Sequence, residues 1–309
     1  MDKRSILFVC TGNIYRSLTA QLAFQKFLND NNIKNWNVKS AGIKANKEEI
    51  HDGVKKTLKK YGFDKINHKQ TKLTKKILNE YDCVVAMAQN HVDFIKNELK
   101  FNNVLLFNEL AIDKKTSILD IEDNVKDYKT NPEAVEKEME KTIKYIFNNI
   151  EKLYKKVLER FYIFCDFIEN NISHRNGFPF IKLYETKNAI SFMSIDIPQK
   201  VDGHILVIPK KRYNDFKKIP LNVLSEIMEI IKKIAIVIER NYGGYNILLN
   251  NSTDAGQYIF HTHFHIIPRI SNDNIRIELW KRNKITKEDF ILLNNKFKKE
   301  MEIIDKERN

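Results

Sequence analysis

The sequence predicts an α/β chain in two parts. Residues 1–155 read as a doubly wound parallel sheet, and residues 156–309 as an α+β domain with a mainly antiparallel sheet and a helical tail. Three observations predict this. In the first part, short apolar runs alternate with segments of helical period, as parallel strands covered on both faces by crossover helices do. In the second, strand-like runs follow one another as in hairpins before one long helical stretch. Between the two parts there is no Gly-, Pro- or Ser-rich linker, only a long amphipathic segment.

Taken in order, Ile6-Leu7-Phe8-Val9 is an apolar run suited to a strand buried on both faces, and it ends at Cys10. Gly12 and Asn13 follow, residue types that tolerate the backbone angles of a tight loop. Arg16 and Ser17 then open a helix with Leu18, Leu22, Phe24 and Phe27 on its apolar side. Residues 36–42 predict a second strand and turn. A helix follows through Val54, Leu58 and Tyr61, with Gly62 as its stop. Helices over 73–81 and 91–99 flank a strand at 83–87, and 103–107 is the last strand of this part. In such a sheet a ligand lies beyond the carboxyl ends of the strands, where Cys10 already stands.

From Pro132 to about Leu158, Met139, Ile143, Ile146, Ile150, Leu153 and Val157 recur at spacings of three and four, the stripe of an amphipathic helix. Beyond it, strands are predicted at 180–184, 189–195, 203–209 and 245–250, with a helix from Leu221 to about Arg240. A final helix is expected near 290–301.

With 42% apolar residues and 19 Phe, the 309-residue chain can bury real cores. The net charge of +13 comes from Lys scattered over the whole length. That pattern reads as solvated helix faces and counts against a nucleic-acid platform. Three cysteines, Cys10, Cys83 and Cys165, lack the paired spacing of a secreted disulfide scaffold. The N-terminus shows no signal-peptide pattern, and no apolar stretch approaches the ~20 residues of a membrane helix. The expectation is a cytoplasmic protein with no membrane partner.

The stretch Cys10-Thr11-Gly12-Asn13-Ile14-Tyr15-Arg16-Ser17 carries the first chemistry. A strand, a Gly-containing loop and a helix N-terminus turn successive backbone N–H groups toward one point, where an anion can sit. A thiol there, beside the Arg16 guanidinium, is favoured as the thiolate, and the guanidinium fork can hold two phosphoryl oxygens. This arrangement suits attack on a phosphate monoester. The stretch resembles the signature loop of low-molecular-weight protein tyrosine phosphatases, and the resemblance extends over about residues 4–150. It implies a cysteinyl-phosphate at Cys10, a clamp from Arg16, and phosphate contacts from Thr11, Gly12, Asn13, Ile14, Tyr15 and Ser17. It also implies that Ser40 and His68 support Asn13. The general acid falls on Asp123, in a loop where Asn124 replaces the family's usual Pro, with Asp120 and Asp127 as fallbacks. Substrates would be a phosphorylated protein or a small phosphomonoester. Arginine phosphatases share the loop but typically have Thr where Ile14 stands, which leans the reading to phosphotyrosine. Arsenate reductases need resolving cysteines, and Cys83 lies in an apolar strand.

In the second part His261, His263 and His265 lie at i, i+2 and i+4, which in a strand puts all three on one face. Three desolvated imidazoles each need a partner, so a purely structural role is a poor explanation. A zinc site and a nucleotidyl-transfer site both use such histidines. The order Gly203-His204-Ile205-Leu206-Val207-Ile208-Pro209-Lys210, Asn250, Gly256-Gln257, then His-x-His-x-His resembles the histidine-triad (HIT) family over about residues 160–270. The resemblance implies that His263 forms a covalent nucleotidyl-histidine with an AMP-like or GMP-like substrate. It places His204 and His265 at the α-phosphate, with His261 positioning them. Asn250 and Gln257 become phosphate or ribose contacts, and Asp196 binds the ribose hydroxyls. Zinc-binding members carry Cys-x-x-Cys and a further His where this chain has Tyr162, Cys165 and Arg212, so no structural metal is expected and neither site needs a cofactor. Trp280 is a candidate wall of the nucleotide site, and a homodimer through the HIT part is in keeping with the family. The expectation is a bifunctional hydrolase, and the alternative is a phosphatase regulated by a nucleotide-binding HIT domain without turnover.

Overall fold

The computed structural model describes residues 3–46, 48–277 and 285–308. Residues Met1–Ser271 form one compact unit and Asn272–Asn309 a second. Within the first unit, β1 (Arg4–Cys10), β2 (Trp36–Gly42), β3 (Cys83–Ala86) and β4 (Val104–Leu106) make a parallel sheet in the order β2-β1-β3-β4. Helices α1 (Arg16–Asp30), α2 (Asp52–Lys59), α3 (Lys75–Asn79), α4 (Gln89–Asn97), α5 (Phe107–Ile112), α6 (Ile121–Asn124) and α7 (Pro132–Val157) surround it. Alternate residues of β1 serve two cores, as the pleat demands. Ile6 and Phe8 pack with Phe24, Ile146 and Ile150, while Leu7 and Val9 pack with Leu78, Val92 and Ile95. The doubly wound expectation holds, with the predicted elements displaced by only one or two residues.

Helix α7 starts where the sequence marks it: the Ala134 N–H donates to Asn131 Oδ1 at 3.0 Å, and Pro132 occupies the first turn. It passes through a π-turn, Leu158–Tyr162, into α8 (Ile163–Ile168). A short ribbon follows, β5 (His174–Arg175) with β6 (Phe178–Pro179). The second sheet is antiparallel and contains β7 (Lys182–Glu185), β8 (Ala189–Met193), β9 (Ile205–Pro209), β10 (Gly244–Leu249) and β11 (Phe264–Arg269), ordered β10-β11-β9-β8-β7. Helix α9 (Leu221–Glu239) covers one face through Ile227, Ile230 and Ile231, and Phe164 and Phe167 of α8 cover the other. The second unit carries α10 (Lys287–Arg308), longer than the stretch expected near 290–301. Trp280 lies outside the described residues. Among those residues no helix is long and apolar enough to cross a membrane.

The two sheets share a core. Phe161 and Phe260 stack with centroids 4.6 Å apart, and both belong to the cluster that contains Ile6, Phe8 and Phe24. Asp82 collects donors from both parts: Ser5 N–H at 3.2 Å, Ser5 Oγ at 3.0 Å, the Tyr162 hydroxyl at 2.9 Å, and the Arg212 guanidinium. Arg160, nearly buried, donates to Glu109 at 3.0 Å and to the Tyr258 carbonyl at 3.1 Å. Phe260→Ala should therefore cost about 3–5 kcal/mol, and urea unfolding followed by amide hydrogen exchange should show the strands of both sheets lost at the same lowered midpoint. A lowered midpoint for one sheet alone would contradict a shared core.

Candidate active sites

Cys10 ends β1 and is almost fully buried. Its Sγ accepts the Asn13 N–H at 3.3 Å and lies 2.9 Å from Ser17 Oγ. A thiolate can only accept, so with Cys10 ionised the Ser17 hydroxyl donates to it. The loop keeps this shape because Asn13 adopts a left-handed φ of 60° and its side chain is held on both sides. Asn13 Nδ2 donates to Ser17 Oγ at 3.1 Å and Ser40 Oγ at 2.8 Å, and Oδ1 accepts the Thr71 N–H at 2.9 Å. His68 Nε2 donates to the Asn13 carbonyl at 2.6 Å, and Gln70 Nε2 to the Gly12 carbonyl at 2.7 Å. Ser40 and His68 thus stand where the resemblance implied. Gly42 lets strand and loop touch: a Cβ there would come within 2.6 Å of the Thr11 carbonyl oxygen.

Arg16 is buried and donates to the Ile118 carbonyl at 2.8 Å, to Thr11 Oγ1 at 3.3 Å, and to the Asp120 carboxylate. Thr11 also meets His91 Nε2 at 3.0 Å, while His91 Nδ1 accepts the Ala88 N–H at 3.1 Å. Nδ1 is therefore bare and Nε2 carries the proton. Burial, helped by the Arg16 charge, lowers the His91 pKa to about 3, so this ring stays neutral. The cleft above the loop measures about 380 Å³ and has Tyr15 and Tyr128 in its walls, with Glu48, Asp120 and Glu122 also lining it.

The acidic turn divides its carboxylates differently from the expectation. Asp120 reaches the guanidinium, whereas Asp123 is exposed and its Oδ2 accepts the Asp120 N–H at 3.2 Å, a capping contact at the start of α6. Asp127 accepts from Asn131 at 2.9 Å, and neither Asp123, the expected acid, nor Asp127 lines the cleft, whereas Asp120 does. The Arg16–Asp120 pair, the Thr11–His91 contact and Gln70 escaped the sequence reading. Only the acidity of the 120–127 segment hinted at the first.

The second site corrects one geometric expectation. Strand β11 begins at Phe264, so His261 and His263 lie in the irregular segment before it, and His261 is not in the lining of the cleft that the other two share. His261 is fully buried, its Nε2 donating to the Pro209 carbonyl at 2.8 Å and its Nδ1 3.8 Å from Cys165 Sγ. The Phe164 ring meets the rings of both His261 and His263, with centroids 5.7 Å apart in each case. His263, His265 and His204 do converge. The His263 and His265 centroids are 4.7 Å apart, and those of His204 and His265 are 5.0 Å apart. All three line a cleft of about 260 Å³ with Asp196, Phe164, Phe180, Arg175 and Tyr258.

Hydrogen-bond partners set the tautomers, since carbonyls only accept. His263 Nδ1 donates to the His261 carbonyl at 2.7 Å, leaving Nε2 as its lone pair. His204 Nδ1 donates to the Asp196 carbonyl at 2.5 Å. Its Nε2 therefore accepts from His265 Nδ1, at 2.8 Å. That leaves His265 Nε2 bare and buried without a partner. Burial lowers the His263 pKa, and it lowers those of His261 and His265 to about 3. Asp196 lines the cleft as expected, but Asn250 and Gln257 do not. Gln257 is spent on its own loop, accepting the Ser252 N–H at 2.8 Å and donating to the Ile259 carbonyl at 3.1 Å. Phe164, Arg175 and Tyr258 are walls that sequence reasoning missed. Tyr162 and Arg212, in place of the zinc ligands of related chains, both turn to Asp82.

The electrostatics set a pH profile. With its pKa below the ordinary 6.5, more than half of the His263 ring is neutral at that pH. An NMR titration of the full chain should place the His263 midpoint below 6.5. A midpoint at 6.5 or above would contradict the burial argument.

A family model described as low molecular weight phosphotyrosine protein phosphatase matches residues 5–159, and one described as HIT domain matches residues 178–272. Over 112 residues the chain is 38% identical to a HIT-like protein of Methanocaldococcus jannaschii, covering 36% of this chain and 81% of that one. It is 32% identical over 152 residues to an adenosine 5′-monophosphoramidase of Candida albicans, covering 47% and 95%. A solved structure of the YwlE arginine phosphatase matches with a TM-score of 0.42 at 23% identity, covering 50% of this chain and 95% of the other.

Proposed function

The chain belongs to the low-molecular-weight phosphotyrosine protein phosphatase family through its first half and to the HIT family through its second, and from that premise we propose a bifunctional hydrolase with two independent nucleophiles. At the first site Cys10 Sγ attacks the phosphorus of a monoester and the ester oxygen departs. Arg16 and the loop amides hold the three equatorial oxygens. Asp120, in the cleft lining beside Arg16, protonates the leaving oxygen, and water then cleaves the S–P bond of the cysteinyl-phosphate to release phosphate. Asp123, outside that lining and exposed, caps α6 by accepting the Asp120 N–H. The tyrosine-lined cleft supports a phosphotyrosine or other aryl phosphate as substrate.

At the second site His263 Nε2 attacks the α-phosphorus of a nucleotide joined to an amine, phosphate or similar group. The group leaves, a nucleotidyl-histidine forms, and water releases the nucleoside monophosphate. His204 and His265 face the phosphate, and the apolar walls take the base. The observation that carries this reading is the tautomer of His263: its Nδ1 proton is committed to a carbonyl, so Nε2 can act only as a lone pair.

Cys10→Ser should lower p-nitrophenyl phosphate hydrolysis by at least about 10³-fold while leaving adenosine phosphoramidate hydrolysis intact, and His263→Ala should do the reverse. Both activities failing in either variant would refute independent sites. Asp120→Asn should lower kcat about 10²- to 10⁴-fold for phenyl phosphate and far less for p-nitrophenyl phosphate, whose leaving group needs no proton. Asp123→Asn should change neither rate much. If the leaving-group dependence follows Asp123 instead, the acid is Asp123.

A further inference from the structure

A third cleft, of about 380 Å³, opens along the seam between the two halves and shares no lining residue with either catalytic cleft. Its charge is one-sided. Lys3, Arg4, Lys34, Lys210, Lys211 and Arg212 line it against two carboxylates, Asp82 and Glu169. The two guanidiniums are fixed in place: Arg4 pairs with Asp166 and Arg212 with Asp82, and both lie over the Tyr162 ring, at 4.8 and 5.5 Å. Lys3, Lys34 and Lys211 are exposed around them, and Trp36 forms part of the wall.

Arg4, Arg212 and Lys210 (the last with Glu185, at 2.9 Å) are paired with carboxylates, so the excess positive charge of the cleft comes from Lys3, Lys34 and Lys211, and it attracts an anion of high charge density. Held guanidinium forks suit phosphoryl oxygens, and mobile ammonium groups neutralise what remains. One of the two forks also connects to the second active site. Arg212 donates to the Phe260 carbonyl at 3.1 Å, directly before His261. An occupant that draws on Arg212 therefore pulls on the segment that sets the triad.

We propose that the seam cleft is an effector site for a di- or triphosphate group and that its occupancy alters turnover at His263. The phosphate chain can come from free polyphosphate or from a nucleoside triphosphate, and the two sources are told apart by adding each alone.

The test uses the full chain carrying Arg16→Ala, which removes the phosphate clamp of the first site. Tripolyphosphate, and separately ATP, is titrated while tryptophan emission is followed, with Trp36→Phe to assign the signal. In parallel, adenosine phosphoramidate hydrolysis is measured at each concentration. Saturable quenching that disappears in Trp36→Phe is expected, together with at least a twofold change in kcat. Lys34→Glu/Lys211→Glu should raise both half-saturation values at least tenfold. Response to tripolyphosphate assigns the site to the phosphate chain; response to ATP alone assigns it to the nucleotide. Identical titrations in the charge-reversed variant, or quenching with no change in kcat, would overturn the proposal. The rate measurement rests on the second activity proposed above. If the parent does not turn over the phosphoramidate, that reading fails and the fluorescence titration alone decides the cleft.

Discussion

The molecule depends on one continuous run of helix whose apolar stripe must be buried on two sheets at once. Helix α7 spends Met139, Ile143, Ile146 and Ile150 on the first half, and α8 spends Phe164 and Phe167 on the second. The π-turn between them widens the helix by one residue per turn and so rotates the stripe from one sheet to the other. It also delivers Arg160, Phe161 and Tyr162 to the seam, where each meets a partner in another element. A flexible linker could have joined the same two domains. A helix committed at both ends fixes their relation instead and makes the wall residue Phe164 part of the bridge.

Both candidate sites obey the same rule of hydrogen-bond accounting: a buried polar group needs a partner, and the partner fixes its state. At the first site, carbonyls and hydroxyls around Asn13 hold a backbone conformation that would otherwise be unfavourable, so the loop is shaped before any anion arrives. At the second, carbonyls hold the Nδ1 protons of His263 and His204, and their Nε2 atoms are left unprotonated. Preorganisation of this kind lowers the reorganisation needed when charge develops in the transition state. The bare Nε2 of His265 is the exception. A buried acceptor without a partner is costly in the folded protein.

Much of this was legible beforehand because it depends on local order. The β1 run, the loop after it and the Asn131-Pro132 start of α7 are specified by neighbours in sequence, and period alone placed the strands and helices closely. The catalytic turn was harder. Asp120 and Asp123 differ by three residues, and which one meets Arg16 depends on how α6 begins relative to β1, more than a hundred residues earlier in the chain. The histidine run shows the same limit. Alternation predicted one strand through all three histidines, but β11 begins only at Phe264, and His261 is left out of the cleft lining that His263 and His265 share.

The sequence by itself determined the two families of elements, the places of the Cys10 loop and the histidine run, and the helical joint between the halves. These follow from residue type and spacing along a few turns or strands. Tertiary structure alone decided which carboxylate holds Arg16, which nitrogen of each imidazole bears a proton, and that Tyr162 and Arg212 meet at Asp82. Those outcomes depend on distances between groups remote along the chain, and only packing brings such groups within hydrogen-bonding reach.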